Sequence, residues 1–239
     1  VTTTRSAVEK VKNLRDYFQV AKLGALNNLM IPGISYRRVG SNVQTDYALA
    51  AWAQQARLCA RELEVSSISV AKLQECIPVI RKMTLETPDV FCAKLIETMA
   101  ECGIALVFLP HMKGSFLHGA TFFEGKKIVM GLTVRGRDAD RFWFSLFHEI
   151  GHIVKGHLGR QSETPEADER EADAFAAETL IPHVMLESFL NAGIFNESTV
   201  ESFAKQIGIA PGIVVGRLQK ENVIHFNQMY NLKEQYTIN

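Results

Sequence analysis

His148-Glu149-Ile150-Gly151-His152 follows directly on Phe142-Trp143-Phe144-Ser145-Leu146-Phe147, and the fold is read outward from this stretch. Across residues 138–155, Phe142, Leu146, Ile150 and Ile153 recur at three- and four-residue spacing, which predicts an amphipathic helix. Histidines four apart on a helix project from one face and can share a single metal ion. Glu149 lies about 100° around the axis, where its carboxylate can serve water at that ion as general base.

A catalytic zinc needs a third protein ligand and an open position. One familiar solution places Gly three residues after the second His and another His three further on, but this chain has Lys155 and Leu158 there. Gly156-His157 is one residue out of register. The better source is the acidic run Asp168-Glu169-Arg170-Glu171-Ala172-Asp173, which opens a helix predicted over 166–180 and closed by Pro182. If Ala172, Phe175, Ala176, Thr179 and Leu180 form its buried face, Glu169 points within about 60° of the centre and Glu171 about 100° off on the other flank. Glu169 is therefore the expected third ligand. Asp168 also points inward, but it is shorter and stands where an N-cap is expected. Asp173 shares the side of Glu169 and could accept the free N–H of a ligand histidine. Acids favouring a helix N-terminus account for Glu166 and Glu171.

Upstream, β-type runs over 104–109, 116–123 and 127–132 predict a small three-stranded sheet, with Glu124-Gly125-Lys126 turning the last two as a hairpin. His118, on the second run, is a candidate for stabilising an oxyanion or binding substrate main chain along a sheet edge. His157 reads as a partner of the motif helix's C-terminus, and His111, His183 and His225 receive no role. Thr87-Pro88-Asp89 opens a helix that Gly103 would end, which puts a domain boundary near residue 86.

The front third reads as helical. Val8, Val11, Leu14 and Phe18 predict one amphipathic helix, and Asp46 would cap a second whose stripe is Leu49, Trp52, Ala53, Ala56, Ala60 and Leu63. A third, over 70–77, is interrupted by Pro78. Behind the core, Ser198-x-x-Glu201 suggests a capping box, Gly208 a break and Pro211 a new helix. Residues 203–218 thus have a helix-turn-helix look. Four basic residues (Lys205, Arg217, Lys220, Lys233) against four acidic ones (Glu197, Glu201, Glu221, Glu234) over 191–239 are a poor balance for phosphate. The segment reads instead as a helical cap or partner-binding pair. The organisation is then a helical N-terminal region (1–86), a central domain (87–191) and a C-terminal helical pair (192–239).

With 239 residues, 47% hydrophobic and 22% charged, the chain has the composition of a globular protein rather than a disordered one. Its 26 basic and 26 acidic residues leave no net charge to attract nucleic acid or anionic membrane, so DNA binding by this chain is expected to be weak or absent. Residues 1–86 carry 12 basic and 7 acidic side chains, and 87–239 carry 14 and 19. No apolar run is long enough to span a bilayer. Cys59, Cys76, Cys92 and Cys102 form no C-x-x-C pair and read as reduced core thiols, which with the lack of a signal segment predicts a cytoplasmic protein. The chain begins at Val1 rather than Met, which leaves open whether a natural N-terminal portion precedes it.

His148-Glu-Ile-Gly-His152 together with Glu169-Arg-Glu-Ala-Asp173-Ala-Phe-Ala-Ala-Glu-Thr-Leu-Ile-Pro182 resembles the ImmA/IrrE family of bacterial metallopeptidases. Family members show Glu, then Ala-Asn or Ala-Asp, then x-Phe-Ala and a Leu-x-Pro ending, and this chain has Asp at the Asn position, where it still accepts a hydrogen bond. The resemblance covers about 85–190, including Phe116-Leu-His-Gly-Ala-Thr121. The front third is similar only to longer members in which a repressor-like DNA-binding domain, absent from this chain, precedes the peptidase. The resemblance implies an α+β, gluzincin-like fold of a small sheet plus active-site helices, with zinc or manganese at the site. It further implies cleavage of a partner repressor of helix-turn-helix type, acting in transcription regulation for a stress response, a mobile element or a toxin–antitoxin-like module.

The leading expectation is therefore a zinc-dependent endopeptidase with His148, His152 and Glu169 on the metal and Glu149 activating water. The alternative is a non-proteolytic regulator or antitoxin that uses the same fold as sensor or docking platform. A metal-dependent amidase has no positive feature, and oligomeric state, including a homo-oligomer, stays open.

Overall fold

The computed structural model describes residues 4–28, 43–112, 118–133, 138–159 and 165–236. Its helices are α1 (Ala7–Phe18), α2 (Val43–Arg61), α3 (Val70–Lys82), α4 (Pro88–Glu101), α5 (Ala139–Val154), α6 (Glu166–Leu180), α7 (His183–Ala192), α8 (Glu197–Ile207) and α9 (Pro211–Lys220). Its strands are β1 (Ile104–Leu109), β2 (Gly119–Glu124) and β3 (Lys127–Thr133). The fold is α+β, as the motifs imply. The sheet order is β1-β3-β2, with β1 parallel to β3 and β2 antiparallel to it. Gly125, at φ 60°, turns the β2–β3 hairpin where Glu124 pairs with Lys127.

Alternation along the strands divides two apolar clusters between the faces of the sheet. Ile104, Leu106, Ile128, Met130 and Leu132 face the larger core, which α4, α5 and α9 complete with Phe91, Leu95, Phe142, Trp143, Leu146, Ile150 and Val214. Ala105, Val107, Ala120, Phe122 and Val129 face Leu49, Trp52, Ala53 and Ala56 of α2. Gly131 leaves room for this second layer, because a Cβ there would lie 2.4 Å from the Trp52 ring. The front third thus reaches across residue 86 into the sheet's packing, and Arg81 of α3 donates to the carbonyls of Thr179 and Leu180 at the end of α6.

Several expectations are corrected. Helix α3 continues through Pro78, because the proline lies on the solvent side while Leu73, Ile77, Ile80 and then Met83 keep one apolar stripe against the core. Helix α2 begins at Val43, ahead of Asp46, which therefore sits within it rather than capping it. Pro182 lies just past the end of α6, as expected, and also stands at the N-cap of α7. The capping box of α8 is Asn196 with Thr199, not Ser198 with Glu201. The second strand begins at Gly119, and residues 116 and 117 of the expected run lie outside the described residues. Helix α1 forms with no buried residue, and its Val8 is 80% exposed. All four cysteines are free thiols. No helix among the described residues is long and apolar enough to cross a membrane.

Gly103 ends α4 at φ 84°, and a Cβ there would lie 2.5 Å from the backbone of Ile68. Ser66 and Ser69 donate from their backbone nitrogens to the carbonyls of Ala100 and Cys102, so Ile68 cannot retreat without breaking this seam. Gly103→Ala is expected to cost roughly 3 kcal/mol, from positive-φ strain plus overpacking. Urea unfolding measures it, and a loss below about 1 kcal/mol would contradict the assigned packing.

Candidate metal centre

Helix α5 carries Phe142, Trp143, Leu146, Phe147, Ile150 and Ile153 into the core, and that burial fixes the rotation that turns His148 and His152 toward α6. Gly151 permits the close approach of the two helices, since a Cβ would lie 3.1 Å from the Ala172 Cα. Glu169 is buried on the facing side of α6, as its helical position predicts.

His148, His152 and Glu169 each present one ligand atom, and these lie within 4.8 Å of one another, the group among the described residues able to hold a metal ion. His148 Nε2 is 3.1 Å from His152 Nε2 and 3.4 Å from Oε2 of Glu169, while His152 Nε2 is 3.4 Å from the other oxygen, Oε1. An ion bound tetrahedrally at about 2.0–2.1 Å has ligand-to-ligand edges of roughly 3.3 Å, which is close to each of these spacings. Glu169 Oε1 is also buried without a hydrogen-bond donor, a cost that an ion would remove. The residues present fit a metal.

The far side of each imidazole is matched as well. His148 Nδ1 lies 2.9 Å from Asp173 Oδ1, the contact expected of Asp173. An N–H donated there leaves the Nε2 lone pair facing the cluster. His152 Nδ1 lies 3.0 Å from His157 Nδ1, and His157 Nε2 lies 3.2 Å from Glu171 Oε2. If His157 donates from Nε2 to Glu171, its Nδ1 accepts from His152, which again leaves Nε2 of His152 free for an ion. His157 is 3% exposed, and Lys155 holds Glu171 at 3.1 Å from the other side.

His157 donates from its backbone nitrogen to the His152 carbonyl in the last turn of α5 at 2.9 Å, as a partner of the helix terminus does, and its ring meets the His152 ring as well. One reading is corrected. Glu171 anchors that histidine rather than only complementing a helix dipole. Asp168 is buried at 4.0 Å from His157 and lies outside the three-residue group.

Glu149 is buried against β2, where Thr121 donates to its Oε2 at 2.6 Å. Gly119 makes the space, since a Cβ there would stand 2.9 Å from Glu149 Cγ and Oε1. Strand alternation puts Gly119 and Thr121 on the α5 side, a signal present in the sequence that no motif draws attention to. Burial raises the Glu149 pKa, against the opposing pull of His148, His152 and the Thr121 hydroxyl. His118 is exposed and lines a cleft together with Phe144 and Asp173; it is not part of the three-residue group.

Without a metal, burial opposes the charge on His148, but its hydrogen bonds to Asp173 and Glu169 and the charge of Glu149 outweigh it and raise its pKa from 6.5 to about 10. Burial likewise opposes ionisation of Glu169, and the two histidines overcome it, lowering the pKa from 4.5 to about 2. The raised His148 contributes stability that is complete below 6.5 and lost as pH climbs through about 10, while the depressed Glu169 contributes above 4.5 and loses as pH falls through about 2. Metal-free protein is therefore expected to lose denaturant resistance between pH 6.5 and 10. Because an ion must displace the His148 proton, zinc uptake at pH 7 is expected to release about one proton. Calorimetry in buffers of different ionisation enthalpy reads that number, and a value near zero would contradict the assigned charge state.

Residues 104–218 match the IrrE N-terminal-like domain, a peptidase family, and that span runs from β1 through both helices of the cluster to α9. The chain matches no curated protein. The match over residues 104–218 supports the metallopeptidase family that the paired motifs on α5 and α6 imply.

Proposed function

We infer that the protein is a zinc-dependent endopeptidase that hydrolyses a peptide bond in a specific partner protein, and that this partner is a helix-turn-helix repressor in a bacterial stress-response or mobile-element switch. The reading rests on one observation: His148, His152 and Glu169 meet within 4.8 Å directly beside the buried carboxylate of Glu149. His148, His152 and Glu169 would hold the ion, with manganese as the alternative to zinc. When bound, the ion supplies Lewis acidity, polarising the scissile carbonyl and acidifying water.

Glu149 carries the proton. Its Oε2 is occupied by Thr121, which leaves Oε1 to take a proton from the attacking water as the O–C bond forms. The raised pKa lets the carboxyl keep that proton until the C–N bond breaks and then deliver it to the departing amine nitrogen. Strand β2 is an outer strand of the described sheet, so its far edge can take an extended substrate by main-chain hydrogen bonds, with His118 at the near end as the candidate contact.

The test is metal content of the purified protein by mass spectrometry, followed by a cleavage assay against repressors encoded nearby. Near-stoichiometric zinc with chelator-sensitive cleavage is the expected result. A filled site that cleaves no partner would replace this reading with that of a non-proteolytic regulator.

A further inference from the structure

Helices α5, α6 and α9 enclose a cleft of about 720 Å³, lined by His118 at one end and by Asp173, the partner of His148, along one wall. Sites that bury most of a ligand have volumes of roughly this order, and this one holds more than a single side chain. Phe144, Ala177, Leu180, Ile181, Ile213 and Phe226 give it an apolar wall. Its floor is an ion pair of Lys233 with Asp140 at 2.9 Å, the two side chains only 5% and 12% exposed. Gly216 is moulded to that pair, because a Cβ would lie 2.1 Å from Asp140 Oδ2.

The acids of the lining are all engaged: Asp140 with Lys233, Asp173 with His148, and Glu221 with Arg217 at 2.6 Å. Of the lining cations, Lys233 and Arg217 are taken by these same pairs. Lys220 has no carboxylate partner among the described residues, and its ammonium lies over the Phe144 ring at 4.2 Å. Arg141 is more than half exposed and stands 3.5 Å from Asp138. Phe144 precedes His148 by one helical turn, with ring centroids 6.5 Å apart. A positive charge is thus held beside the candidate metal centre in a region, residues 87–239, where acids outnumber bases 19 to 14.

We propose that this cleft selects the substrate, taking an extended peptide segment that sets a bulky apolar side chain against Phe144, Ala177 and Ile213 and an acidic side chain beside Lys220. The proposal rests on the peptidase reading of the adjoining site. The apolar wall supplies the anchoring area, and the Lys220 ammonium at its rim discriminates the neighbouring residue by charge.

The test uses the full chain as Glu149→Gln, loaded with zinc, and fluorescently labelled peptides pairing one Phe with a neighbouring Glu, Gln or Lys. The Phe-Glu peptide is expected to bind about tenfold more tightly than the Phe-Lys peptide, and adding Lys220→Glu is expected to reverse that order. Ala177→Trp, which fills the cleft, is expected to weaken all three peptides about tenfold with metal content intact. Lys220 is exposed, so its reversal keeps the test valid if the tryptophan disturbs folding. Equal binding of the three peptides, binding of none, or an order unmoved by Lys220→Glu would overturn the proposal. If the peptides bind as expected but zinc-loaded wild-type protein leaves them intact, the peptidase reading fails and the cleft assignment stands.

Discussion

Glu149→Gln is expected to reduce hydrolysis by at least about a thousandfold, or roughly 4 kcal/mol in the barrier, while zinc stays bound. The amide has nearly the shape of the carboxylate, its oxygen still accepts from Thr121, and it fills the pocket left by Gly119. What it cannot do is take a proton. The loss should therefore fall on turnover, with metal content and melting temperature close to wild type. Thr121→Val separates the two things this carboxylate needs. It removes the hydroxyl that orients Glu149 without removing the base, so a smaller loss of about tenfold is expected, from misplacement alone. Single-turnover rates on one substrate rank the variants. A Glu149→Gln protein retaining a tenth of wild-type activity would mean that another group accepts the proton, and the proposed mechanism would not survive it.

The clustering of His148, His152 and Glu169 was more legible than what supports it. A helical period and a four-residue spacing suffice to put His148 and His152 on one face, and the wheel of α6 chooses Glu169 over Glu171 because the buried stripe through Ala172, Ala176 and Leu180 fixes which flank faces α5. These are local relations, written within a turn or two of chain. The bounds of β1 and of α6 were legible for the same reason. The His152–His157–Glu171 relay was not, because it depends on a chain reversal at Gly156 and on a neighbouring helix, and no single period encodes both. Thr121 and Gly119 were hidden likewise: strand alternation gives their face, but only the packing of α5 on β2 shows what the face meets.

The same distinction explains the helical misreadings. Pro78 is a breaker by propensity, yet it and Gln74 one turn back are exposed, where water can satisfy the freed carbonyl, while Ile80 and Met83 hold the chain to the core. Residue 86 looked like a boundary because Thr87-Pro88-Asp89 is a strong local start signal. Whether a helix before that signal covers the sheet is decided by Trp52 meeting Gly131, two positions that no pattern links.

Glu169→Ala is expected to bring zinc down from about one per chain to background, a weakening on the order of a thousandfold, because two neutral imidazoles alone neither complete three ligands nor supply the anionic charge of the site. His157 provides the graded comparison. His157→Phe leaves His152 without an acceptor for its Nδ1 proton and is expected to cost about 10- to 100-fold in zinc affinity, whereas His157→Gln, which can still accept that proton, should recover part of the loss. Chelator competition on purified proteins gives all three affinities on one scale. Zinc retained at full occupancy in Glu169→Ala would refute the ligand assignment, since the remaining acids near the cluster, Asp168 and Asp173, would then have to replace it. Equal affinity in the His157→Phe and His157→Gln proteins would show that His157 fills space rather than orienting His152, because only the hydrogen bond distinguishes the two substitutions.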